Sequence, residues 1–295
     1  MKRIILVYRA PVFSPNSVNK DKAILEAVGG LLGERGYDVE YIHEEDLMAE
    51  HDGDLFLTMG RLPETLAILA QKEKDGCIVL NTTKGVRLAT SRLLIDRMMR
   101  ENDIPTASLC DGPCCERGYW LKRGDAAAQS LDDVQYAQTW DDVERKLVHF
   151  HNRGISDVLV CEHIEGDVVK FYGVQGTDFF RIFYPTDDGQ MKFGDEVRNG
   201  EAHHYPFDAA QLQNDANRLS QLAELPVYGG DCIVRPDGSY AVIDFNDWPS
   251  FARCRDEAAG AIASLVNATS DSQPNLHSPM GEKGRTGEVI VKSEE

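Results

Sequence analysis

The sequence predicts a small doubly wound α/β layer followed by a larger α+β body, and three observations carry that reading. Strand and helix patterns alternate through the first eighty residues. Beyond Asn81 a long helical pattern gives way to apolar strands separated by short turns. Near the end, the alternating segments on either side of Pro236-Asp237-Gly238 form the pattern of a β-hairpin, running from Gly229 to Phe251.

The elements follow in order. A strand is expected at 3–8, its apolar run Ile4-Ile5-Leu6-Val7 buried; the run is too short for a signal segment, and Arg9 and Pro11 end it. After a Ser/Pro/Asn loop, a helix is expected from about Asp21 to Arg35, with Gly36 as its stop. Strands near 37–42, 54–58 and 77–80, with a helix opening near Pro63, complete the layer. No G-x-G-x-x-G follows the first strand, which argues against a nicotinamide cofactor. One helix is then expected from Lys84 to Asn102, closed by Ile104-Pro105. A strand with Tyr119 to Asp125 follows, then a helix near 140–153. Strands at 157–161, 168–174 and 179–184 precede the hairpin. From Asn267 to Glu295 the chain is rich in Ser, Gly, Pro and charge without periodicity, the composition of a disordered tail.

Composition narrows the function. A net charge of −18 argues against nucleic acid or an anionic membrane as the main partner, so any phosphate site must be a local basic pocket. No apolar run approaches the roughly 20 residues that span a bilayer. Cys77, Cys110, Cys114, Cys115, Cys161, Cys232 and Cys254 are odd in number and scattered, as expected of reduced thiols in a cytoplasmic protein. The Cys110/Cys114/Cys115 group reads as a plain loop, since a zinc site would want a fourth ligand and other spacing.

The hairpin carries the chemistry. Alternation places Asp244 and Asn246 on one face of its second strand, and Asp231 starts the partner strand. Two carboxylates and an amide oxygen make a hard oxygen cluster, better suited to Mg²⁺ with nucleotide phosphates than to Zn²⁺. Taken alone, the same residues also suit the polar outer face of an ordinary hairpin.

The order of these parts decides between the two. Asn81, the helix ending in Asp103-Ile104-Pro105-Thr106, the lysine strand at 120–125, the turn at 160–167 and the terminal hairpin together resemble the ATP-grasp superfamily. Its glutathione-synthetase-like and RimK-like ligases are nearest, with features of the inositol-phosphate kinases. The resemblance covers about residues 80–265. It implies a pre-ATP-grasp, Rossmann-like α/β domain over 1–82, an α+β ATP-grasp domain over 83–266, and a tail over 267–295.

What the resemblance implies for the site is specific. ATP is the cosubstrate, with Mg²⁺ (or Mn²⁺) held by Asp231, Asp244 and Asn246. Lys122 meets an α- or β-phosphate, and Arg92 stands where relatives often carry a second nucleotide lysine; an arginine there can pair with phosphate bidentately. Glu162, His163 and Ile164 form the hinge whose backbone receives the adenine edge. Glu165 holds the ribose hydroxyls, with Asp167 as its competitor. Lys170 approaches the phosphates or the acceptor, and Arg181 and Arg198 stabilise the transferred phosphoryl group. The loops at 9–20 and 184–205 face the acceptor. His149 and His151 point apart on a helix and make no metal site; His203 and His204 read as exposed loop residues.

The expected reaction is a carboxylate–amine (or thiol) ligation through an acylphosphate, with small-molecule acid and amine substrates. A homo-oligomer is compatible with the family but no residue decides it. Two alternatives stand beside the ligase. A small-molecule kinase would want a more basic acceptor pocket than Lys170, Arg181, Arg198 and Arg253/Arg255 supply. A non-catalytic nucleotide-binding subunit would have no need of an intact Asp231/Asp244/Asn246 set.

Overall fold

The computed structural model describes residues 2–14, 17–126, 130–188 and 198–271. The run of apolar residues from Ile4 to Val7 is fully buried because it becomes the inner strand of a parallel sheet. That sheet has the order β2-β1-β3-β4, from β1 (Arg3–Tyr8), β2 (Asp38–His43), β3 (Leu55–Thr58) and β4 (Ile78–Leu80). Helix α1 (Val18–Glu34) begins three residues earlier than its pattern suggests; α2 (Pro63–Lys74) opens on a proline, whose missing N–H costs nothing there.

The single helix expected from Lys84 to Asn102 is two: α3 (Thr83–Thr90) and α4 (Arg92–Glu101). Ser91 between them is extended, accepts from the Leu94 N–H and donates to the Gly124 carbonyl at 3.1 Å. Apolar spacing continues across the break and hides it, whereas the serine is a plain N-cap. The break matters because it puts Arg92 at the first turn of α4, over the cleft.

Two antiparallel sheets follow. One has the order β6-β5-β7, from β5 (Tyr119–Arg123), β6 (Val134–Ala137) and β7 (Val158–Glu162), with α5 (Trp140–Asn152) packed against it. The other has the order β11-β10-β8-β9, from β8 (Asp167–Val174), β9 (Phe180–Phe183), β10 (Val227–Val234) and β11 (Tyr240–Asp247). The turn joining β10 to β11 closes through Arg235 N–H to the Ser239 carbonyl at 2.8 Å, with Gly238 at φ +82°. Strand β6 and two further helices, α6 (Ala209–Ala223) and α7 (Arg255–Asp271), escaped the sequence reading. Helix α7 buries Ala258, Ala259, Ile262, Ala263 and Val266 in one core with α1, β1 and β3. The expected tail therefore starts inside a helix; residues 272–295 lie outside the described residues, as do 189–197 of the expected acceptor loop.

Asn81 ties the first layer to the last sheet. Its buried amide donates to the Val227 carbonyl at 2.7 Å and accepts from the Val227 N–H at 2.8 Å, so the end of β4 is bonded to the start of β10. After β11 the chain turns through Trp248 (φ +35°) and Phe251 (φ +47°), both fully buried. Left-handed backbone at bulky residues is costly and persists where the surroundings hold it. Here the two rings fill the core while Pro249 and Ser250 face the cleft.

Candidate active site

The cleft lies between the two antiparallel sheets and runs back to the first layer, with a volume of about 370 Å³. Its chemistry divides along its length into an apolar slot, a charged middle and a second charged end.

The slot is lined by Trp120 and Val134 from the β6-β5-β7 sheet and by Ile233 and Ile243 from the hairpin, with Ala107 and Cys161 at its back. At the hinge, the N–H groups of Glu162 and His163 are spent on the carbonyls of Ser108 (3.0 Å) and Gly118 (2.9 Å). This narrows the expected three-residue hinge: among the described residues, the Ile164 N–H is the hinge donor left for a base edge. The Glu162 carboxylate accepts from the Ser108 N–H and hydroxyl, which makes it a brace for the hinge. His163 accepts from the Trp120 indole at 3.0 Å; burial, then the Arg198 charge, hold its pKa below the usual imidazole value, so the ring stays neutral.

The middle is built by register. Asp231 on β10 stands opposite Asp244 on β11, and Asn246 follows on the same face, donating to the Asp244 carboxylate at 3.0 Å. Gly230 lets the strands close there, because a side chain at that position would meet the Asp244 carbonyl and the Phe171 ring. Three cations converge on these acids. Lys170 pairs with Asp231 at 2.9 Å, Arg92 lies 3.7 Å from Asp244, and Lys122 reaches across from β5 to the Ile243 carbonyl at 2.9 Å. Burial alone would raise the pKa of Asp244, but Arg92, Lys122, the Asn246 amide and Lys170 together bring it below the usual carboxylate value.

These residues fit a metal-bound nucleotide. The donors are carboxylate and amide oxygens, which suit a hard cation, and Arg92 Nη1 is buried with no hydrogen-bond partner. A guanidinium donor left unpaired in a cleft is a place for an anion's oxygen.

The far end was not read from the sequence. Arg9, at the end of β1, donates to Asp21 (3.3 Å), to Asp247 (3.4 Å) and to the Met59 carbonyl (2.9 Å). Arg61 binds the same Asp247 through Nε and Nη2. The side chains of Arg9, Arg61 and Asp247 are 7%, 8% and 0% exposed, yet all three line the cleft. Burial and the neighbouring Arg61 lower the pKa of Arg9; Asp247, against its burial, is held low by the two arginines. The Nη1 edge of Arg61 has no hydrogen bond among the described residues, and the buried Ser17 hydroxyl, which also belongs to the cleft lining, is unpartnered. The sequence signal for this end is weak: the expectation that the loop at 9–20 faces an acceptor.

Other expectations fall outside the reacting region. Arg181 is exposed, paired with Glu257 and stacked on Phe179, and does not line the cleft. Its alternation on β9 gives it a face, and that face is the outer one. Arg198 lines the cleft at the hinge end, its guanidinium 3.5 Å from the Tyr136 ring centre, while Asn199 beside it donates to the Ile164 carbonyl. Tyr136 in turn packs edge-on against the His163 ring, so Arg198 sits at the hinge. Glu165 is exposed and paired with Arg117 at 3.3 Å, outside the lining. Asp167 is buried and accepts from the N–H groups of His203 and Tyr205, so it holds that loop in place.

The sequence matches no protein-family model and no curated protein. Solved structures match over nearly the whole chain. A RimK-domain ATP-grasp protein from Sphaerobacter thermophilus is 19% identical, with 90% of this chain and 99% of that one covered at a TM-score of 0.63. D-alanyl-alanine synthetase A from Vibrio cholerae is 11% identical, covering 91% and 98% at 0.66. D-alanine–D-alanine ligase from Bacillus anthracis, complexed with ATP, is 11% identical, covering 92% and 100% at 0.58. Among the described residues no helix is long and apolar enough to cross a membrane.

Proposed function

We propose, since this chain has the ATP-grasp fold of those neighbours, that it is an ATP-dependent ligase joining a small carboxylic acid to an amine or thiol. The observation that carries the reading is the layout of β11. Asn246 faces the carboxylate cluster and the next residue, Asp247, holds the arginine pair, so a nucleotide's phosphates and an acid acceptor would meet across one strand.

In this reading the base enters the slot against Trp120 and the Ile164 N–H, and the phosphates lie along Lys122, Arg92 and Lys170. Asp231, Asp244 and Asn246 would hold Mg²⁺, which would offset the charge that builds on the leaving ADP. The Arg61 Nη1 edge and the Ser17 hydroxyl orient the acceptor carboxylate. One carboxylate oxygen attacks the γ-phosphorus, and the bond to the β,γ-bridging oxygen breaks, giving an acylphosphate and ADP. The amine (or thiol) then attacks the acyl carbon and expels inorganic phosphate with loss of one proton. The residues' work is positioning and charge stabilisation. Arg181 has no part in it.

Phosphate accounting tests the proposal. Mg²⁺-ATP is incubated with fractions of a small-metabolite extract, and ADP and free phosphate are followed together against Asp244→Ala. Equal amounts of the two, dependent on an extract fraction, are expected. ADP without matching free phosphate would place the phosphoryl group on the acceptor and overturn the ligase in favour of a kinase.

A further inference from the structure

Three thiols that the sequence scatters over a turn converge in space. The sulfurs of Cys110 and Cys115 are 3.5 Å apart, as are those of Cys114 and Cys115, and all three lie within 4.8 Å of one another. None is in a disulfide, whose sulfurs would be about 2.05 Å apart. A tetrahedral thiolate site with metal–sulfur bonds of about 2.3 Å has sulfur–sulfur edges of about 3.8 Å. The observed spacings already approach those edges.

The trio is held from behind and open in front. Cys110 is buried beside Tyr119 and Leu121, and its N–H donates to the Val160 carbonyl at 2.9 Å. The N–H of Cys115 donates to the Tyr119 hydroxyl at 2.9 Å. Cys114 is exposed, which leaves a path for an ion to enter.

We propose that Cys110, Cys114 and Cys115 form a three-thiolate site for one thiophilic divalent ion of the zinc and cadmium class. With three protein ligands the fourth position is open to water or to an external thiol. None of the three cysteines lines the cleft, so this ion is separate from the hard-cation cluster, which has no sulfur donor. The loop it closes borders the hinge at both ends: Ser108 and Gly118 supply the carbonyls that hold Glu162 and His163.

The test uses the full-length chain, reduced and desalted without oxygen, and titrated with Cd²⁺ alone. One equivalent per chain is expected, with the ultraviolet sulfur-to-cadmium charge-transfer band, and Zn²⁺ should displace it. Cys114→Ser, at an exposed position that leaves the fold intact, should weaken binding at least about tenfold, the loss that even an outer-shell change produces. Cys77→Ser should change nothing. Absence of the band at one equivalent, or a band that Cys114→Ser leaves unchanged, would overturn the proposal. So would a reduced protein that binds no Cd²⁺ but loses the mass of two hydrogens in air, which identifies a disulfide pair instead.

Discussion

The charged middle and the charged far end of the cleft are built from the same groups and behave differently. In the middle, Lys170 with Asp231 and Arg92 with Asp244 are partly exposed pairs, one of them loose at 3.7 Å, beside an unpartnered guanidinium nitrogen. At the far end, Asp247 is fully buried between Arg9 and Arg61 and holds both. Loose pairs exchange partners readily, so the middle suits a ligand that comes and goes. A buried charge shared by two arginines fixes the join between the first layer and β11, and in the proposed reading leaves one guanidinium edge for the acceptor. The first arrangement is chemistry awaiting a ligand, and the second is a joint with recognition attached.

Breaking the joint has the largest expected effect. Asp247→Ala leaves Arg61 buried without its carboxylate and Arg9 with Asp21 alone, which costs about 3–5 kcal/mol of folding stability; urea unfolding measures it. The acid limb sharpens the same point. The Asp247 carboxyl titrates below its unfolded value, so its contribution is complete above about pH 4 and is lost as pH falls through the lower folded value. A stability–pH profile of Asp247→Asn should therefore show a shallower acid limb than the native chain.

The middle should respond in the opposite sense. Asp244→Asn is expected to keep the melting temperature within a few degrees while turnover falls by about a hundredfold or more, the scale of losing one charge-stabilising group. Lys122→Met, next in size, removes a charged donor and should weaken ATP binding roughly ten- to a hundredfold, as equilibrium titration would show. Arg181→Ala is the smallest. Its exposed pair with Glu257 is worth at most about 1 kcal/mol, and turnover should stay within about twofold.

The same contrast explains what the sequence could reveal. Asp231, Asp244 and Asn246 lie within sixteen residues of one hairpin, so period-two alternation is enough to bring them together. Most strands are equally local and equally legible, apart from four-residue β6. Arg9, Asp21, Arg61 and Asp247 come from four segments that only the docking of β11 against the first layer unites, and no local pattern announces that. Arg181 shows the reverse error. Strand alternation gives a side chain a face, but which face is the cleft depends on what packs on the other side. Here Glu257 of α7 meets it, and that Ala-rich helix carries no motif a sequence pattern marks out.

The most direct test is calorimetric titration of the full-length chain with ATP, in excess Mg²⁺ and again in EDTA, on native protein, Asp244→Asn and Arg61→Met. Saturable one-site binding that depends on Mg²⁺ is predicted for the native chain and for Arg61→Met, and its loss for Asp244→Asn. Equal affinity with and without Mg²⁺, unchanged by Asp244→Asn, would contradict the assignment of the hairpin as the site of the metal and the phosphates.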